Sequence, residues 1–170
     1  TGITTMQMDA GLDTGDMLLR REVPIHRDTT YGTLHDAMME TGAALLVETL
    51  EQLAAGTLTR TPQTGESSYA ARITRETAQI DWSRTARKLD ALVRALNPVP
   101  YAETHLGDAR YKIGMLSLTG EPTDAPHGTI LTADRRAGLR VAAGDEIVQV
   151  TEIQAPGKRM MAASDFLNGC

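Results

Sequence analysis

The chain has 170 residues, 41% of them hydrophobic and 23% charged, with a net charge of −5. This is a foldable composition with room for one domain or two small ones, and it excludes a disordered chain. No apolar run approaches the ~18–20 residues of a membrane span, no signal-peptide pattern opens the chain, and the lone Cys170 excludes an internal disulfide. A cytoplasmic location with no membrane contact is the expectation.

Charge is unevenly spread. Residues 1–71 hold four basic groups (Arg20, Arg21, Arg27, Arg60) and ten acidic ones, while residues 72–170 hold the other thirteen basic groups and twelve acidic ones. Such asymmetry suggests two units with different partners. Histidine and cysteine never cluster at metal-ligand spacing, so no metal is expected.

In chain order, residues 2–8 and 17–23 read as strands. Between them lies Asp9-Ala10-Gly11-Leu12-Asp13-Thr14-Gly15-Asp16, with three carboxylates and two glycines in eight residues. Glycines permit a tight turn that brings backbone close to a ligand, and open α/β sheets collect their sites at strand ends. A solvated acidic hairpin loop accounts for the same residues. Two strands and one helix do not close a buried sheet, so the front of the chain reads as part of something longer.

Thr29-Thr30 offers an N-cap for a helix that runs to about Ala55, with Gly56 as its stop. Leu34, Met38, Leu45, Leu46, Thr49, Leu50 and Leu53 form an expected core stripe, with Glu40, Glu48 and Glu51 toward water. Met38 and Met39 read as core filler. Residues 57–71 are polar and carry Pro62 and Gly65, which predicts a linker and divides the chain into 1–56, 57–71 and 72–170.

Thr74 caps one helical turn, and Ser83 is the expected cap of a helix over 84–96 with Leu89, Leu92, Val93 and Leu96 on its apolar face. Arg84, Arg87, Lys88 and Arg94 lie mostly elsewhere on it, opposed only by Asp90. A solvated face and a phosphate-steering face both fit these charges. Asn97-Pro98-Val99-Pro100 ends the helix. Strands follow at 102–106, 109–113, 115–118, 129–132, 139–142 and 146–153, the first two joined by the two-residue hairpin Gly107-Asp108. Short strands at this spacing predict a small barrel of the OB type. Ala155-Pro156-Gly157-Lys158-Arg159 is a basic loop, and Ser164 caps a last turn ending at Cys170.

Three separated stretches carry a resemblance. Residues 6–19, MQMDAGLDTGDMLL, are similar to the segment of methionyl-tRNA formyltransferases that holds the catalytic aspartate. Tyr69-Ala70, Ile80-Asp81-Trp82-Ser83 and Arg94-Ala95-Leu96-Asn97-Pro98-Val99-Pro100 resemble the entry to that family's C-terminal domain. Residues 154–167, QAPGKRMMAASDFL, resemble its closing motif. The order is the family's order, and the likeness covers essentially the whole chain. The family usually has Phe at Leu96, Trp at Val99 and Gly at Tyr101.

The resemblance implies an α/β remnant of a Rossmann-like formyltransferase domain, then a linker and an OB-like barrel that helps hold tRNA. It implies formyl transfer from 10-formyltetrahydrofolate to the α-amino group of methionyl-initiator-tRNA, by a protein that is a monomer at full length. Asp13 would be the catalytic carboxylate, relaying a proton and orienting a histidine. That histidine and an asparagine would stabilise the oxyanion of the tetrahedral intermediate. The backbone of Asp9, Ala10, Gly11, Leu12 and Gly15 would contact the pterin, and Arg84, Arg87, Lys88, Arg94, Lys158 and Arg159 are candidate tRNA contacts. The family's asparagine and histidine lie upstream of the aspartate, whereas His26, His35, His105 and His127 read as surface or loop residues. The chain alone is therefore expected to be an inactive fragment. Three other readings remain open at this point: a folate-dependent formyltransferase for a purine intermediate or a sugar nucleotide, a stand-alone RNA-binding module, and an OB-like domain used for protein contact.

Overall fold

The computed structural model describes residues 1–168, and the chain divides into two units, Thr1–Ala71 and Arg72–Cys170. Cys170, where the last predicted turn ends, lies outside the described residues.

In the first unit β1 (Gly2–Met6) and β2 (Met17–Glu22) form an antiparallel pair, in register from Gly2 opposite Glu22 to Met6 opposite Met17. One helix, α1 (Tyr31–Ala55), packs on it. Its ends follow the local sequence: Thr30 and Thr33 make a reciprocal capping box, and Gly56 stops the helix at φ 68°. Leu45 and Thr49 face the hairpin and are buried. Thr49 gives its hydroxyl proton to the Leu45 carbonyl at 2.6 Å, so Thr5 is the donor in the 2.9 Å contact between the two hydroxyls. Thr5 Oγ1 in turn accepts the Leu19 N–H at 3.1 Å, which ties α1 to both strands.

The predicted core stripe of α1 is too wide. Leu46, Leu50 and Leu53 are each more than half exposed. A two-stranded ribbon covers only the arc around Leu45 and Thr49, and the apolar residues of α1 extend past it. Glu48, expected toward water, pairs with Arg21 at 2.7 Å.

The second unit begins with α2 (Arg75–Ala78), capped by Thr74 as its sequence predicts, and α3 (Ala86–Leu96). Five strands follow: β3 (Ala102–Leu106), β4 (Ala109–Pro122), β5 (Ile130–Asp134), β6 (Gly138–Ala142) and β7 (Glu146–Gln154). The chain then adds the short β8 (Met161–Ala162) and α4 (Ala163–Leu167). The strand order is β3-β4-β7-β6-β5, all antiparallel, with β8 beside β7. Segments 109–113 and 115–118, expected as two strands, are one strand with irregular register around Met115, because a bulge bends β4 without ending it. Leu89, Val93 and Leu96 of α3 bury their side chains in one core with Ile113, Leu116, Val148, Val150 and Ile153.

Among the described residues no pairing joins β3 to β5, so the expected barrel is an open sheet in this structure. A cavity of about 330 Å³ includes Leu106 of β3 and Ile130 of β5 in its walls, with Trp82, Tyr111 and Phe166. Side chains rather than a strand-to-strand ladder line that side.

Two predicted caps also move. Thr85, not Ser83, stands at the N-cap of α3, and the Ala86 N–H is met at 2.7 Å by the Asp145 carboxylate, 59 residues away. The Ser83 hydroxyl instead donates to Asp81 at 2.6 Å. At α4 the cap position is Ala162, without a side-chain bond, and Ser164 lies inside the helix.

Candidate active site

The loop between β1 and β2 is built from its own side chains and one distant clamp. The Gln7 N–H donates to the Asp16 carbonyl at 2.9 Å and closes its base. Asp9 turns its carboxylate inward, where Oδ1 accepts the Thr14 hydroxyl at 2.5 Å and the Gly11 N–H at 2.9 Å. The hydroxyl first, then the backbone N–H, hold the Asp9 carboxyl below its ordinary value of 3.8. Gly15 is buried, and a Cβ there would overlap the Gln7 carbonyl. Only glycine fits that crossing.

Asp13 stands differently. It is exposed, its φ is +56°, and no hydrogen bond or ion pair holds its carboxylate among the described residues. A left-handed backbone costs an L-residue roughly 1–2 kcal/mol, and aspartate is among the side chains that tolerate it best. The offset comes from Gln63, whose Nε2 donates to the Asp13 carbonyl at 2.9 Å and the Gly15 carbonyl at 2.8 Å. At about 0.5–1.5 kcal/mol each, the two bonds match that cost. The Thr61 and Met17 backbones exchange N–H···O bonds of 2.8 Å in both directions and hold the 61–63 segment beside the loop. Gln63 sits in the stretch read as linker. It has no local signature, because its partners lie 48 and 50 residues upstream.

The outer surface of the loop is open to solvent. Its backbone is exposed from Asp9 to Thr14, and the apolar side chains of Met8 and Leu12 are 79% and 91% exposed. Asp16 closes the base through its carbonyl, and the Asp9 carboxylate is used inside the loop. Among the described residues the carboxylates of Asp13 and Asp16 have no hydrogen-bond donor, and Asp13 is the one carried on the backbone that Gln63 holds.

The basic candidates of the second unit fall into two groups. Arg84, Arg87 and Lys88 are exposed at the start of α3 and just before it, with Arg84 also 3.5 Å from Asp81. Arg94 is mostly buried and held by Asp90 at 3.0 Å. Lys158 and Arg159 are exposed on the loop after β7, a turn closed by the Lys158 N–H on the Ala155 carbonyl at 3.0 Å. That loop borders a cleft of about 250 Å³ whose walls include Arg110 and Lys112. These two cations did not stand out in the sequence, yet they alternate along β4, and Lys112 lies opposite Gln154. Lys112 Nζ donates to the Pro100 carbonyl at 3.2 Å and lies 5.9 Å from the Tyr101 ring centre. Tyr101 has φ +72°, a conformation that suits the glycine usual there in the resembling family.

Residues 72–170 match the family model described as "Formyl transferase, C-terminal domain", and residues 1–50 match "Formyl transferase". The chain belongs to the formyl transferase family. Among formyl transferases it is 43% identical over 170 residues to the methionyl-tRNA formyltransferase of Marinobacter nauticus, covering 99% of this chain and 54% of that protein. It is 45% identical over 171 residues to the methionyl-tRNA formyltransferase of Symbiobacterium thermophilum, covering 99% of this chain and 52% of that one. This formyl transferase chain thus spans about half the length of these curated relatives. HypX from Aquifex aeolicus, solved in complex with tetrahydrofolic acid, shares the fold: TM-score 0.70 at 20% identity, over 98% of this chain and 29% of that one.

Proposed function

We propose that this chain carries the catalytic aspartate and the C-terminal domain of an enzyme that, at the length of its relatives, formylates methionyl-initiator-tRNA from 10-formyltetrahydrofolate. Asp13 is the reacting carboxylate in this reading. The observation that carries it is the clamp on Asp13: its backbone is held left-handed by Gln63 while its carboxylate stays exposed, whereas Asp9 is used inside the loop. The exposed backbone of Asp9, Ala10, Gly11 and Leu12 offers donors and acceptors to a pterin edge and Leu12 an apolar surface for its ring, while Gly15, also expected there, is buried at the loop base. In the reaction the amine nitrogen bonds the formyl carbon, the bond from that carbon to the folate nitrogen breaks, and a proton passes from the amine to the folate nitrogen. A carboxylate poised to take and return that proton is the part this chain supplies. The asparagine and histidine that the resemblance implies as oxyanion donors have no counterpart among these residues, so the chain alone is inactive in this reading.

The second unit is read as an OB-like barrel left open between β3 and β5, with the two units representing a Rossmann-like remnant and a tRNA-side domain joined near 57–71. Arg84, Arg87, Lys88, Lys158 and Arg159 are exposed cations suited to tRNA phosphates, and Arg94 is the sixth candidate. A monomeric, cytoplasmic, metal-free enzyme completes the reading. The experiment is transfer of a labelled formyl group to Met-tRNA by the protein at the length of its relatives. Turnover with Met-tRNA supports the proposal, whereas turnover only with an amino-sugar nucleotide, or none with any amine, contradicts it.

A further inference from the structure

We propose that Gln63 is a positioning residue for Asp13, aiming the carboxylate by clamping the carbonyls on either side of Thr14. The inference rests on Asp13 being the reacting group. A primary amide carries two N–H bonds splayed from one nitrogen, and here both end on loop carbonyls, at 2.9 Å on Asp13 and 2.8 Å on Gly15. Among the described residues nothing holds the Asp13 carboxylate itself, so its direction depends on the backbone that carries it. Turning Asp13 out of the left-handed region moves its carbonyl away from Gln63 and swings the side chain with it. Asp9 and Thr14 brace the other side of the loop but bond neither carbonyl. Among the described residues the only side chain that bonds both ends of the Asp13–Gly15 turn therefore comes from a segment tethered by the Thr61–Met17 pair.

The test uses three variants in the protein at the length of its relatives: Gln63→Ala, Gln63→Glu and Asp13→Asn. Formyl transfer to Met-tRNA is measured from near pH 7 down to about pH 5, with amide exchange at Met17 and Thr61 as the check on folding. A displaced reacting group costs roughly 10–100-fold in kcat. Gln63→Ala is expected to lose that much kcat at every pH, with KM for the formyl donor and for tRNA little changed and Met17 and Thr61 still protected. Gln63→Glu is expected to lose at least as much near neutrality, because its carboxylate faces two carbonyl oxygens. Relative to the unmodified protein it recovers as pH falls toward 5, where the protonated acid donates one bond. A merely structural role gives no such recovery. The inference is overturned if both Gln63 variants keep full kcat while Asp13→Asn abolishes turnover, or if KM moves and kcat does not. Full turnover in Asp13→Asn overturns the catalytic reading itself, and with it the premise for Gln63.

Discussion

At the scale of residues, the loop assigns different work to chemically identical groups. Asp9, Asp13 and Asp16 lie within eight positions, yet only Asp9 gathers donors to its carboxylate, from Thr14 and Gly11. Its pKa lies below the ordinary value because those bonds favour the charged form. The bonds therefore support the loop above about pH 4 and fail as pH falls through the lowered pKa. Thr14→Val removes the first-named donor, so the Asp9 carboxyl should titrate closer to 3.8. A carboxyl-carbon NMR titration reads this directly, and an unchanged midpoint would assign the shift to something other than the hydroxyl. Leu12-Asp13-Thr14-Gly15 is a contiguous pattern, so the resemblance could point to Asp13 from the sequence. Gln63 was not legible there, because a hydrogen bond across 50 residues leaves no mark on its neighbours.

Elements were legible where their signals were local. The Thr30 and Thr74 capping boxes, the Gly56 stop and the Gly107-Asp108 hairpin all lie within a few residues of what they terminate or turn. The α3 cap was misplaced because its real acceptor, Asp145, arrives from the turn between β6 and β7. Periodicity located α1 but not the width of its buried face, which depends on how many strands lie in front of it. That difference is measurable. Leu45→Ala, at a site 2% exposed, should cost about 2–5 kcal/mol of α1 protection in amide exchange. Leu46→Lys with Leu50→Lys should stay within about 0.5 kcal/mol of the parent, since both sites are more than half exposed. A large loss in the double variant would mean that the outer face of α1 is covered in solution.

The whole molecule separates its charge as it separates its units. The first is acidic, and the second carries thirteen of the seventeen basic residues. Composition alone showed this, and strand spacing showed that the second unit is built mostly of β-structure. Barrel closure could not be read from spacing, because it depends on long-range register and on side chains such as Trp82 and Phe166 that line the cavity near β3 and β5. If the exposed cations bind tRNA backbone, Lys158→Ala and Arg159→Ala should each lower the slope of log affinity against log salt by about 1. Arg94→Ala should leave the slope nearly unchanged, because Asp90 already neutralises that side chain. Equal slopes in all three variants would remove the basic loop from the interface.

In the proposed reaction Asp13 reacts while its neighbours build the loop. The most direct measurement is kcat for formyl transfer to Met-tRNA by Asp13→Asn, in the protein at the length of its relatives, with tRNA affinity determined alongside. A fall of roughly 100-fold or more with affinity retained is the predicted result. Undiminished kcat would exclude Asp13 as the reacting group and leave the loop a structural turn.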